Sequence, residues 1–191
     1  MKKERIPMMD HLWVITILFF ALGFVNIGLS LAGLICMILP FILYWKSGEK
    51  LWCKNYCPRA SLFLRVLSRI SLKKPLPKGF TKQKVKTGVL IYFGLNLFFA
   101  TMSTIMVSLG RVAPIDYLRF LIAFPIPIDL PQLIRVDLSP WFLHLSFRIY
   151  SMMLTSTTIG LILGFLYVPR AWCVICPIQT LTTKRPVNIL D

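Results

Sequence analysis

TGVLIYFGLNLFFATMSTIMVSL, residues 87–109, is a long apolar run without a charged side chain. A helix needs about 20 mainly apolar residues to cross the roughly 30 Å hydrocarbon core of a bilayer. The run is long enough for one such crossing. A second run, IYSMMLTSTTIGLILGFLYV at residues 149–168, has the same character. The two runs predict two membrane-spanning helices.

The composition of the whole chain supports a membrane protein. Of its 191 residues 57% are hydrophobic and only 7 are acidic, and the mean hydropathy is +0.72, well above that of soluble domains. Residues 11–45 carry no charge apart from any proton on His11, and they are too many for one helix. We therefore expect an all-α integral membrane protein with one membrane domain, residues 1–191, built from two helical hairpins. The four predicted helices cover residues 11–26, 29–45, 87–109 and 149–168.

The distribution of charge predicts the orientation. More than half of the 22 Lys and Arg lie between residues 46 and 86, where Glu49 is the only acid. Because cytoplasmic loops carry an excess of Lys and Arg, we expect this loop to be cytoplasmic. Residues 110–142 have balanced charges, as expected of an outside loop. With four crossings both termini are cytoplasmic, in a multi-pass protein of the cell inner (plasma) membrane surrounded by its lipid bilayer.

Several function classes find no support in the sequence. The net charge of +15 follows from the predicted topology, and a nucleic-acid partner would need a basic soluble face with stacking aromatics. A cleaved signal peptide is not expected, because the first apolar stretch is too long. No carboxylate pair, activated nucleophile or glycine-rich phosphate loop points to hydrolysis or phosphoryl transfer. We expect an electron-transfer subunit rather than a self-contained enzyme.

The predicted cytoplasmic loop contains an amphipathic stretch. RASLFLRVLSRISL, residues 59–72, places Arg65 and Arg69 one helical turn apart, with apolar residues largely on other faces. This pattern predicts a helix that lies in the membrane interface. The helix could anchor the loop to anionic lipid, or it could form a basic docking surface for an acidic electron carrier.

Two similar cysteine motifs follow predicted helices. LWCKNYCPRASLF covers residues 51–63 and AWCVICPIQTLTT covers residues 171–183. Both read Trp-Cys, two or three residues, Cys-Pro, two residues, Ser or Thr, and Leu. Such an internal repeat suggests two hairpins that each supply half of a shared site. The four cysteines that we expect at the cytoplasmic face are Cys53, Cys57, Cys173 and Cys176.

Four cysteines on one side can bind a metal centre. Disulfides are disfavoured in the reducing cytoplasm. Zinc accepts four thiolates in closed structural sites, so a zinc site is one interpretation. A [4Fe–4S] cluster also takes four cysteine ligands, and Cys-x3-Cys-Pro closes bacterial ferredoxin motifs. The proline after the second cysteine of each motif favours the cluster, with zinc as the alternative.

The residues beside the cysteines suit a negatively charged cluster. Pro58 and Pro177 are expected at the first position of a helix, where no hydrogen-bond donor is lost. Each preceding cysteine would then lie at a helix start, where free N–H groups and the positive end of the helix dipole face an anion. Lys54, Arg59 and Arg170 are expected to add positive charge.

WCKNYCPRASL and WCVICPIQTL resemble the paired motifs of membrane-bound 4Fe-4S proteins of the NapH, NosR and CcoG type. The resemblance implies that the four cysteines ligate a cluster and that the protein moves electrons at the membrane, beside respiratory reductases or in their assembly. Ala60 and Gln179 stand where that family usually has glycine, and the second pair is Cys-x2-Cys. We expect one cytoplasmic-side cluster in an electron-transfer or maturation subunit, whose redox partner is a ferredoxin, a flavoprotein or a quinol-linked subunit.

Overall fold

The protein is a bundle of helices in the computed structural model, which describes residues 11–49, 51–121, 124–126, 132–133 and 138–182. Both chain termini, predicted to be cytoplasmic, fall outside these residues. The helices are α1 Trp13–Val25, α2 Ala32–Ser47, α3 Pro58–Ile70, α4 Gln83–Ser108, α5 Pro140–Leu166, α6 Ala171–Ile175 and α7 Pro177–Leu181. A 3-10 turn covers Ile27–Leu31, a π-helical turn covers Trp52–Tyr56, and the two strands are β1 Arg119–Phe120 and β2 Phe124–Pro125.

Three helices are long and apolar enough to cross a membrane. They are Ile27–Ser47, which joins the 3-10 turn to α2, together with α4 and α5. The predictions at 29–45, 87–109 and 149–168 are confirmed to that extent. The helix predicted at 11–26 is shorter, because α1 has 13 residues. Its length of roughly 20 Å at 1.5 Å per residue is less than the hydrocarbon core, so a fourth crossing stays a prediction.

Helix α5 forms the centre of the bundle and contacts α2, α3, α4, α6 and the Ile27–Leu31 turn. It begins at Pro140, well before the predicted start at residue 149. His144, in the first turns of this longer helix, is only 1% exposed. Its Nε2 lies 2.9 Å from the Ser103 hydroxyl of α4, so a polar contact between two helices replaces contact with water.

Helix α3 packs closely against α5 because α5 presents two glycines to it. A Cβ on Gly160 would lie 2.3 Å from the Phe63 ring, and one on Gly164 would lie 2.4 Å from Leu67. Small residues four apart allow such close helix contacts. The amphipathic helix predicted in residues 59–72 is therefore present, with its apolar face buried against α5 and α1 and with Arg65 exposed on the other side.

The segment between α4 and α5 runs along α5 rather than staying at its end. The N–H groups of Ile115, Arg119 and Leu121 donate to side chains of α5. Their acceptors are His144 Nδ1 at 3.1 Å, Ser151 Oγ at 3.1 Å and Thr155 Oγ1 at 3.3 Å. These acceptors extend over roughly 16 Å of helix at 1.5 Å per residue. Buried N–H groups need partners, and the polar side of α5 supplies them.

Candidate metal centre

The four cysteines of the two motifs line one cavity of about 30 Å³. Each is partly buried. The cavity lies where the π-helical turn and the start of α3 meet α6 and the start of α7. The structure thus brings together residues that are more than a hundred positions apart in the sequence. The residues that line the cavity are Trp52, Cys53, Cys57, Arg59, Ala60, Phe63, Trp172, Cys173, Cys176, Ile178 and Gln179.

The first motif folds so that its second cysteine precedes a helix. Cys53 lies in the π-helical turn, and Cys57 is the extended N-cap of α3 with Pro58 at the first helical position. The backbone N–H groups of Arg59 and Ala60 donate to the Cys57 thiol. These N–H groups have no partner within the helix, so the sulfur takes the place of a side-chain cap.

The second motif repeats this local structure. Cys173 lies in the short helix α6, and Cys176 is the N-cap of α7 with Pro177 at the first helical position. The N–H and the hydroxyl of Thr180 donate to the Cys176 carbonyl oxygen at 3.0 and 3.1 Å. The proline therefore starts a helix in both motifs, as the sequence predicts. This agreement gives the internal repeat a structural counterpart.

Arg170 connects the two motifs. Its Nη2 donates to the carbonyl oxygen of Cys53 at 3.1 Å, and its side chain also donates to the Cys173 thiol. Its Nε is buried and has no hydrogen-bond partner among the described residues. A partly buried guanidinium with a spare donor is suited to a neighbouring anionic group.

The two other predicted cations differ in their positions. Arg59 lines the cavity, and its Nη1 donates to the Ser156 hydroxyl of α5. Lys54 does not line the cavity. Its exposed ammonium lies 3.7 Å from the Glu49 carboxylate, at the protein surface. Arg59 is therefore held beside the cysteines, whereas the charge of Lys54 is shared with an acid and screened by solvent.

Burial controls the protonation of the cysteines. It raises the pKa of the Cys57 thiol, although Arg59 and the helix N–H groups act in the opposite direction. Burial also raises the pKa of Cys173 to about 11, helped by the neighbouring thiols Cys57 and Cys176 and opposed by Arg170. These two thiols are protonated near neutral pH in the metal-free protein. A metal centre that needs thiolates must displace their protons.

The four thiols could serve either of two kinds of metal centre. Among the described residues, no three His, Cys, Asp or Glu side chains are grouped closely enough to hold a single metal ion. A zinc site requires all four sulfurs within about 2.3 Å of one point. In a [4Fe–4S] cluster each cysteine binds a different iron, so the sulfurs stand further apart. The four cysteines share one cavity, and they supply the number of ligands that either kind of centre needs.

Two tryptophans and a phenylalanine form apolar walls that the sequence analysis did not assign to the site. Trp52 and Trp172 are 8% and 5% exposed, and Phe63 is fully buried. Trp172 also makes an edge contact with Phe93 of α4 at 5.9 Å between ring centroids. The repeated Trp-Cys pair was the available signal. Apolar walls limit the access of water, which controls the potential and the stability of a metal centre.

The fifth cysteine lies outside the cavity. Cys36 belongs to α2 and interacts electrostatically with Arg59 and Cys57, so it is near the site without lining it. Cys36 belongs to neither of the two cysteine motifs. Its position on a membrane-length helix agrees with that of a small apolar side chain.

A second, larger cavity adjoins the cysteines. Its volume is about 160 Å³, and its walls are mostly apolar side chains of α2, α4, α5 and α7. Cys176, Trp172 and Arg59 line both cavities. An apolar space therefore reaches a cysteine of the candidate metal centre from within the helical bundle.

A comparison with protein families gives one match, to a 4Fe-4S binding domain, over residues 29–77 and 151–183. The first segment contains α2, the π-helical turn and α3, and the second contains the carboxyl-terminal part of α5 with α6 and α7. Both cysteine motifs are included. No curated protein and no solved structure matches the chain. The match and the shared cavity together support an iron–sulfur binding protein, similar to 4Fe-4S binding domains in the two segments that carry the cysteines.

Proposed function

We propose that the chain is a membrane-bound electron-transfer or maturation subunit that carries one [4Fe–4S] cluster on its cytoplasmic side. Cys53, Cys57, Cys173 and Cys176 ligate the cluster. The observation that carries this proposal is the common cavity lined by all four cysteines, two of which cap helices that begin with proline. The match to a 4Fe-4S binding domain over the same motifs supports it.

We propose that the protein is inserted in the inner membrane. The outward faces of the helices expose large apolar side chains, which a bilayer would cover. Examples are Ile17, Leu18, Ile35, Ile38, Ile91 and Phe98. The carboxyl ends of α2 and α5 both lead into the cysteine motifs, so the basic loop 46–86 and the cluster lie on the same side, and the positive-inside rule makes that side cytoplasmic.

We also propose that α1 crosses the membrane despite its length. At its carboxyl end Gln132, from the segment between α4 and α5, bonds to the Gly23 carbonyl oxygen and to the Ile27 N–H. Elsewhere α1 packs against α3, which follows the first cysteine motif. Helix α1 therefore runs between the outer segment and the cluster side. A reporter fused to the amino terminus should be cytoplasmic, and an outside signal would leave three crossings.

A bound [4Fe–4S] cluster would supply a one-electron centre. The chain's own residues would set its environment. Arg59 and Arg170 place positive charge beside the thiolates, the N–H groups at the start of α3 donate to a ligand sulfur, and the tryptophans keep water away. Positive charge and N–H donors stabilise added negative charge, so these groups favour reduction.

The redox partner is proposed from the surfaces around the site. Arg65 and Arg69 of α3 are exposed on the same side as the cysteine motifs, and a basic face attracts acidic ferredoxins or flavoproteins. The apolar cavity that reaches Cys176 is an alternative entry for a quinol. Reduction rates measured with each donor would distinguish these donors. Only reduction by a ferredoxin or flavoprotein should become much slower at high salt.

The central experiment is anaerobic purification of the full chain in detergent, followed by assays of iron, acid-labile sulfide and zinc. We expect about four iron and four sulfide per chain and the EPR signal of a reduced [4Fe–4S] cluster. One zinc per chain with neither iron nor sulfide would instead establish a four-cysteine zinc site in a structural or assembly protein. If the chain held neither iron nor zinc after reconstitution with iron and sulfide, the result would contradict both the cluster and the zinc site.

A further inference from the structure

Two arginines face a second polar site, away from the cysteines. Arg119 comes from β1 and Arg148 from α5, and both line a small cavity between α4, α5 and the segment before β1. The cavity has a volume of about 10 Å³. Neither arginine belongs to the segments that match the 4Fe-4S binding domain. The other residues that line it are Asn96, Ile115, Tyr117, Phe147, Ser151, Met152 and Thr155.

The two guanidinium groups are incompletely satisfied. The Nε atoms of Arg119 and Arg148 are buried and have no hydrogen-bond partner within the described part of the chain. Arg119 also donates through Nη2 to the Tyr117 hydroxyl and lies over the Tyr117 ring at 5.0 Å. The two positive charges are close enough to repel each other. Donors are thus left over on both side chains.

No described carboxylate forms an ion pair with Arg119 or Arg148, although the exposed Asp116 lies between two residues that line the cavity. No carboxylate lines the cavity, and the ion pair between described residues joins Lys54 to Glu49. Two like charges within a membrane-length helical bundle are costly unless an opposite charge accompanies them. A water molecule could accept hydrogen bonds from the Nε atoms, but it would leave both charges uncompensated.

The remaining polar groups of the cavity can also donate. Ser151 and Thr155 accept N–H groups from the segment that contains β1, so their own hydroxyl hydrogens are available to another acceptor. The Asn96 amide of α4 is 7% exposed and lines the same cavity. Donors from α4, α5 and the β1 segment therefore converge around one small space.

We propose that this cavity binds one small monovalent anion of halide size, such as chloride. The class of ligand follows from two cations and several donors in a cavity that no described acid lines. The small volume of the cavity, about 10 Å³, favours an anion of one atom over the larger phosphate and sulfate ions. The bound anion would fix the segment that contains β1 against α5.

The test uses the full chain, loaded with its metal centre, in detergent. Its melting temperature is measured while chloride replaces gluconate at constant ionic strength. Because a ligand that binds only the folded protein stabilises it, we expect the melting temperature to rise with chloride. Arg119→Gln and Arg148→Gln should lose this dependence. Arg111→Gln removes an exposed charge near the end of α4 and should keep it.

Direct binding of chloride is measured on the wild-type protein, so it tests the proposal even if the arginine variants do not fold. The wild-type protein should bind one radiolabelled chloride per chain, displaced by bromide and not by sulfate. A wild-type protein that neither binds chloride nor responds to it overturns the proposal. The proposal is also overturned if the melting temperature depends on chloride only in Asp129→Asn or Asp137→Asn. In that case a carboxylate of this chain is the counter-ion of the arginines in the wild type.

Discussion

The Arg170 guanidinium donates to the Cys53 carbonyl oxygen at 3.1 Å, so the residue that precedes the second cysteine motif holds the backbone of the first. The same side chain also donates to the Cys173 thiol. One cation is thus shared by the two halves of the candidate centre. The stability of the two halves and the electrostatics of the centre should therefore depend on each other.

The first prediction is that the four cysteines act as one ligand set. Replacing Cys53, Cys57, Cys173 or Cys176 by Ser should each remove or severely deplete the iron, because a cluster that loses one thiolate is poorly held. Iron and sulfide per chain are the measurement. Cys36→Ser is the matched control, since Cys36 lies near the site but does not line the cavity. A full iron content in Cys173→Ser would mean that the two motifs do not share a site.

The second prediction concerns the reduction potential. A cluster becomes more negative when it is reduced, so nearby positive charge raises its potential. Arg59→Gln and Arg170→Gln should each lower the midpoint by an amount on the order of tens of millivolts, because solvent partly screens the lost charge. EPR-monitored redox titration measures the shift.

Controls for the potential come from the same region. Lys54→Gln should leave the midpoint nearly unchanged, because the Lys54 ammonium is exposed and paired with Glu49. Arg170→Lys should recover part of the shift by restoring charge without the full hydrogen bonding of arginine. Equal shifts in Lys54→Gln and Arg59→Gln would show that overall charge, rather than position beside the cysteines, sets the potential.

Much of this arrangement could be predicted from the sequence because its signals are local. Apolar length predicted four membrane-spanning helices, three of which are membrane-length in the structure, and Cys-Pro predicted two helix starts. The position of Lys54 could not be predicted, since it depends on how a π-helical turn rotates the side chain towards Glu49. The early start of α5 could not be predicted for a similar reason. His144 lies near that start and is buried, and its hydrogen-bond partners, Ser103 and Ile115, are distant in the sequence.

The third prediction concerns the contact between α3 and α5. Gly160→Ala would place a Cβ 2.3 Å from the Phe63 ring, which is fully buried and lines the cysteine cavity. Overpacking of this kind costs about 1–3 kcal/mol. We expect a lower melting temperature and a reduced iron content, because α3 carries Cys57 at its start.

Gly88→Ala is the control for this substitution. Gly88 lies in α4, and a Cβ added there meets nothing within 4 Å. The added methyl group should be neutral or slightly stabilising, since alanine favours helices over glycine by roughly 1 kcal/mol. If both variants kept full iron and the same melting temperature, close packing of α3 on α5 would not be needed to position the site.

The last prediction is a pH dependence of the metal-free protein. The pKa of Cys173 rises from 9.0 to about 11 on folding, first because the thiol is buried. A raised pKa means that folding favours the protonated thiol, so this contribution to stability is complete below pH 9.0 and is lost as the pH rises to about 11.

The measurement is the melting temperature of metal-free wild type and metal-free Cys173→Ser between pH 8 and about pH 11. Lysines and tyrosines titrate in the same range, but they are common to both proteins, so the difference between the two curves isolates Cys173. We expect the wild type to lose more stability than the variant above pH 9.0. Cluster assembly, which needs the thiolate, should conversely release protons and become more favourable as the pH rises over this range. Parallel melting curves, with no proton release on reconstitution, would show that Cys173 is not a buried thiol that a metal centre must deprotonate.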